Sequence, residues 1–66
     1  MSYSYIVFNA NKNVEGVFNS LKEAWDYCSK CNIGVENDII DFIIEQWKEN
    51  LLHYEWNFEK RECPSE

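Results

Sequence analysis

Phe42-Ile43-Ile44-Glu45-Gln46-Trp47-Lys48-Glu49-Asn50-Leu51-Leu52-His53-Tyr54-Glu55-Trp56-Asn57-Phe58 is the stretch that decides the fold. It lies in a span from Val35 to Glu62 with neither glycine nor proline, so nothing punctuates it. Two readings compete. Ile40, Ile44, Trp47, Leu51, Tyr54 and Phe58 recur at intervals of four and three, the seam of one long helix. Alternatively, Phe42 to Trp47 is a strand, Lys48-Glu49-Asn50 turns, and Leu52, Tyr54, Trp56 and Phe58 alternate with His53, Glu55, Asn57 and Glu59 in a last strand. The hairpin accounts for Phe42, Leu52 and Trp56, which the helix would leave on its polar side. Ile, Tyr, Trp and Phe are also indifferent in helices and favoured in strands. The hairpin is the preferred reading.

Working outward, Tyr3 to Asn9 reads as a strand rich in aromatic and β-branched residues, Asn11-Lys12-Asn13 as a turn, and Val14 to Phe18 as its hairpin partner. Gly16 inside that second strand marks a bulge or a close approach by another group. Ser20-Leu21-Lys22-Glu23 has the form of a capping box. The helix it opens carries Leu21, Ala24, Trp25 and Cys28 on one face and Lys22, Asp26 and Lys30 on the other, with Asn32 and Gly34 as the stop. The expected fold class is α+β in ββαββ order, a four-stranded antiparallel sheet with one helix on one face. The alternative is an N-terminal β-hairpin followed by two helices, the second long. At 66 residues the chain is expected to form a single small domain over residues 1–62 with a flexible tail at 63–66.

Gly16-Val17-Phe18-Asn19-Ser20-Leu21-Lys22-Glu23-Ala24, followed by Ile43-Ile44-Glu45-Gln46-Trp47, resembles the strand, capped helix and strand of many small phage and viral proteins. Several anti-CRISPR proteins are similar in size and in ββαββ order. The resemblance implies a class, small proteins that act by occupying another protein's surface, and assigns no functional residue. Residue usage hints at origin and not at chemistry: residues with AT-rich codons (Phe, Tyr, Met, Ile, Asn, Lys) total 28 against six for Gly, Ala, Arg and Pro, the balance of an AT-rich genome such as those of many phages, large viruses and low-GC bacteria.

The net charge of −6 resides entirely in the second half. Residues 1–34 balance three acids against three bases, whereas residues 35–66 set nine acids against Lys48, Lys60 and Arg61. Direct binding to DNA or RNA is disfavoured, because that affinity comes from Lys and Arg neutralising phosphates. Anionic membrane surfaces are disfavoured by the same sign argument. No run of about 18 apolar residues exists, and the N-terminus lacks the basic and apolar regions of a signal peptide, so a cytoplasmic protein is expected, in the host cytoplasm if the gene is phage or viral.

Cys28-Ser29-Lys30-Cys31 is the one recognised short motif. It falls at the negative end of its helix, where thiolates are not favoured. Cys28, Cys31, His53 and Cys63 are of the kinds zinc prefers, but their spacing is that of no familiar finger, and structural or free thiols are the preferred reading, with no metal and no cofactor. His53, the lone histidine, has no nucleophile beside it in sequence and reads as a surface residue on the polar side of its strand.

In the hairpin reading Asp41 and Glu45 share the outer side of one strand, and Glu55 and Glu59 that of the next. Same-face neighbours on a strand are ~7 Å apart, close to the spacing of phosphates along one nucleic-acid strand, and Glu49, Glu36 and Asp38 extend the track. Ile43 and Trp47 fall among these acids as apolar anchors. The sequence therefore points to a non-enzymatic acidic binding protein that occludes the nucleic-acid-binding surface of a basic host protein through Asp41, Ile43, Glu45, Trp47, Glu55 and Glu59. The alternatives are a self-assembling structural or virion protein, with a homodimer through exposed aromatics, and a small zinc or thiol protein using Cys28 and Cys31.

Overall fold

The computed structural model describes residues 3–35, 37–59 and 62–64. Glu36 of the expected acidic track and residues 65 and 66 of the expected tail lie outside the described residues. The chain forms β1 (Ser4–Asn9), β2 (Val14–Phe18), α1 (Leu21–Cys31), β3 (Phe42–Lys48) and β4 (Leu51–Phe58). The decisive stretch is a hairpin, and the long-helix alternative is excluded. One antiparallel sheet runs in the order β2-β1-β3-β4, so the fold is the α+β ββαββ arrangement.

Local chemistry explains each boundary. Asn9 Oδ1 accepts from the amides of Asn11 (2.9 Å) and Asn13 (3.1 Å), which folds the β1–β2 turn and lets Lys12 take a positive φ of 65°. Ser20 Oγ accepts from the Glu23 amide (3.2 Å) while Glu23 Oε2 accepts from the Asn19 amide (3.2 Å), so the helix begins at a reciprocal cap. Its stop is Asn32, followed by Gly34 at φ 83°. Glu49 and Asn50 both have positive φ (54° and 65°), a two-residue turn whose twist suits the strands it joins.

Leu21, Ala24, Trp25 and Cys28 form the buried face of α1 and meet Tyr5, Val7, Phe42, Ile44 and Phe58 from one side of the sheet. The aromatic members pack at angles: Trp25 and Phe58 have centroids 5.1 Å apart, and Phe42 lies 6.3 Å from Phe58. Gly16 answers to both expectations, since the β1–β2 register shifts beside it and a Cβ there would meet the Phe18 ring at 3.0 Å.

The β4 alternation needs one correction. Trp47 pairs with Leu52 but Gln46 pairs with Tyr54, so His53 is an extra residue in a bulge. Leu52 therefore shares a face with Trp47 rather than with Tyr54, Trp56 and Phe58. His53 leaves the polar side expected for it and sits edge-on to Tyr3, at 5.4 Å between centroids.

Outside the core, Glu15 links three elements. It accepts from the Tyr27 hydroxyl (2.7 Å) and from Asn9 Nδ2 (2.8 Å). The Tyr27 hydrogen bond, then that of Asn9, holds the Glu15 carboxyl below its ordinary range, and the carboxylate in turn raises Tyr27 above 10. A depressed carboxyl stabilises the fold above pH 4.5 and loses that contribution as pH falls through its lowered folded value. A raised phenol stabilises below pH 10 and loses it as pH climbs beyond. Tyr27→Phe is thus expected to lower stability at neutral pH and to flatten both limbs of the profile. Urea midpoints measured from acid to alkaline pH check this, and limbs of unchanged steepness would contradict it.

Candidate functional site

Only one side of the sheet is covered by the helix. The ladder pairings arrange the other side in rows: Val17, Ile6, Glu45 and Glu55; Val14, Phe8, Ile43 and Asn57; Ser4, Trp47 and Leu52. The central strand β1 explains why this face is apolar. Tyr5-Ile6-Val7-Phe8 does not alternate with polar residues, a pattern of strands covered on both sides, whereas the helix covers only Tyr5 and Val7. Val14, Val17 and Leu52 are exposed, and Ile6, Phe8, Ile43 and Trp47 are half-buried by their neighbours alone.

The residues expected to form a binding site are distributed over this face as follows. Ile43, Glu45 and Trp47 project from β3, and Glu55 from β4 directly opposite Glu45. Trp47 Nε1 donates to Glu45 Oε1 at 2.8 Å, which lays the indole along the sheet and fixes one carboxylate. Phe8, Lys12 and Ile43 complete a shallow recess around Glu45 and Glu55. Asp41 and Glu59 sit one residue beyond their strands and share a second recess with Asn9, Ala10, Ile43 and Asn57 at that end of the sheet. Glu49 borders the opposite end, beside Ser4, Ile6, Val17 and Trp47. Asp38 lies in the loop before β3, at φ 53°.

This layout refines the expected acidic track. Glu45 is the acid within β3, flanked on the same face by Ile43 and Trp47, while Asp41 lies one residue before the strand and Glu49 in the turn after it. The strand's carboxylate thus sits between two apolar groups. A cross-strand pair of like charge such as Glu45 and Glu55 works against the sheet, and Lys12 lines the same recess.

Sequence reasoning missed Ile6, Phe8, Val17 and Leu52 as parts of this face. The unbroken apolar run in β1 was the signal for the first two; Leu52 depends on the bulge.

The cysteine and histidine residues do not converge. Cys28 is wholly buried, and burial followed by the neighbouring Cys31 pushes its thiol up to about 12, away from reactivity. Cys31 is exposed, and Cys63 donates weakly to the Pro64 carbonyl at 3.5 Å. Among the described residues no group of three or more His, Cys, Asp or Glu is placed to hold a metal ion, and no helix is long and apolar enough to cross a membrane.

Comparison with protein-family models, curated proteins and solved structures returns no significant match.

Proposed function

We propose that this chain is a non-catalytic binding module whose open sheet face covers a basic, partly apolar surface on another protein. The observation that carries the reading is the pairing of Glu45 with Glu55 inside a face whose apolar members are Ile6, Phe8, Val14, Val17, Ile43, Trp47 and Leu52, with Ser4, Asn57 and Lys12 beside them. Apolar area supplies affinity, and the carboxylates supply steering and orientation toward Lys or Arg. Stacking of this face on a second copy is opposed by the acids it would bring together. The partner surface is one that ordinarily holds nucleic acid, with the carboxylates of the face standing in for phosphates, and the role is that of a phage or viral inhibitor of a host protein. Support for that finer reading is the segregation of all net negative charge in residues 35–66.

The test uses immobilised protein and nuclease-treated host lysate. A nucleic-acid-binding protein is expected to be retained and to be displaced by added DNA or RNA, with affinity falling steeply as salt screens the contact. Glu55→Lys separates function from folding. It replaces a repelling cross-strand pair by an attracting one, so thermal stability is expected to hold or rise slightly, while affinity for the captured partner falls at least about tenfold. Undiminished binding by a folded Glu55→Lys variant would overturn the assignment of this face, and retention insensitive to nucleic acid would overturn the choice of partner.

A further inference from the structure

The two edges of the sheet are not equivalent. At one edge, β2 has five residues, and its ladder is interrupted at Gly16. Short length and irregularity are the usual protection against strand addition. At the other edge, β4 is longer, at eight residues without proline or glycine; its bulge at His53 leaves residues 54–58 regular, and Leu51, Leu52 and Tyr54 are largely exposed, at 63%, 48% and 57%.

The backbone groups that β4 presents can be worked out from the ladder. The Asn9 amide donates to Asn13, toward the β2 side of β1, so the even residues of β1 face β3. Their partners Ile43, Glu45 and Trp47 then face β1, and Phe42, Ile44, Gln46 and Lys48 face β4. On β4 the partners of that second set are Phe58, Trp56, Tyr54 and Leu51. Leu52, Glu55 and Asn57 are left sending their N–H and C=O groups outward.

The geometry points to a twofold dimer in which β4 pairs antiparallel with β4 of a second copy, joining two sheets into one of eight strands. Outward residues must oppose outward residues, which leaves three registers beyond the bulge, and charge chooses among them. Centring on Glu55 sets it against itself, beside the two Glu45 side chains. Centring on Asn57 sets Glu55 against Glu59 twice. Centring on Trp56 sets Glu55 against Asn57 of the second copy and Tyr54 against Phe58, and leaves Glu59 at the bulge, so no acid faces an acid. The third register is the self-complementary one, and cross-strand pairs of this kind are what specify a sheet. The dimer uses the β4 edge rather than the open face, Glu55 bordering both, and it would set two such faces side by side.

The test is the mass of the full chain by sedimentation equilibrium across a wide concentration range. A dimer is expected for the wild type. Asn57→Glu creates two acid pairs at the seam and is expected to weaken the dimer at least about tenfold, and adding Glu55→Lys to it is expected to restore the affinity to within about threefold. Circular dichroism confirms that each variant is folded. A wild type that stays monomeric throughout overturns the proposal, as does a dimer indifferent to Asn57→Glu. A monomer that dimerises only after deletion of residues 60–66 also overturns it, by giving the edge to the chain's own terminus.

Discussion

Phe58→Ala is expected to leave the chain unfolded at 25 °C. Phe58 is fully buried, 5.1 Å from Trp25 on the helix and 6.3 Å from Phe42 on the neighbouring strand. Removing a buried phenylalanine ring costs about 3–5 kcal/mol, and a core of this size supplies a net stability of only about 3–5 kcal/mol. The two figures meet, so loss of one ring exhausts the margin. Far-ultraviolet circular dichroism and urea titration would show a collapsed spectrum with no folded baseline. A cooperative transition close to the wild-type midpoint would refute the central place given to this ring.

Asn32→Ala is expected to cost about 2–4 kcal/mol, as buried backbone groups lose their partners. Asn32 is the one buried polar residue among those described. Its Nδ2 donates to the Cys28 carbonyl (2.9 Å) and the Ile40 carbonyl (3.3 Å), and its Oδ1 accepts from the Ile40 amide (2.7 Å). The side chain therefore caps the helix and mimics a strand partner for the loop that returns to β3. Amide exchange at Ile40 should accelerate together with the fall in stability. Unchanged exchange at Ile40 would show that the loop is held by something else.

These two residues also mark the limit of what was legible in the sequence. Phe58 could be placed in the core because Tyr54, Trp56 and Phe58 alternate, and the cap at Ser20 could be read because it involves only its immediate neighbours. Asn32 was readable only as a stop. Its clamp acts on the backbone of Ile40, eight positions away, and backbone groups leave no residue signature. The bulge at His53 was invisible for a related reason, since it is a count of two residues against one across a ladder and no composition encodes it. For the candidate site, alternation placed Ile43, Glu45 and Trp47 on one side, while the apposition of Glu45 and Glu55 needed the register that turn and bulge together set.

The strand order carries a kinetic consequence. Two of the three ladders are hairpins whose ends meet after short turns, β1 with β2 and β3 with β4, and such units assemble in microseconds. The central ladder instead joins Asn9 to Phe42 and Ser4 to Trp47, so it must close a loop of more than thirty residues before any contact repays the lost chain entropy. Closure of this central ladder, rather than either hairpin, is then expected to limit the folding rate. The β1–β3 seam is the joint where the molecule commits to its structure, and substitutions at Ile6, Val7 or Ile44 should register in the folding rate, whereas those at the outer strands should register mainly in the rate of unfolding.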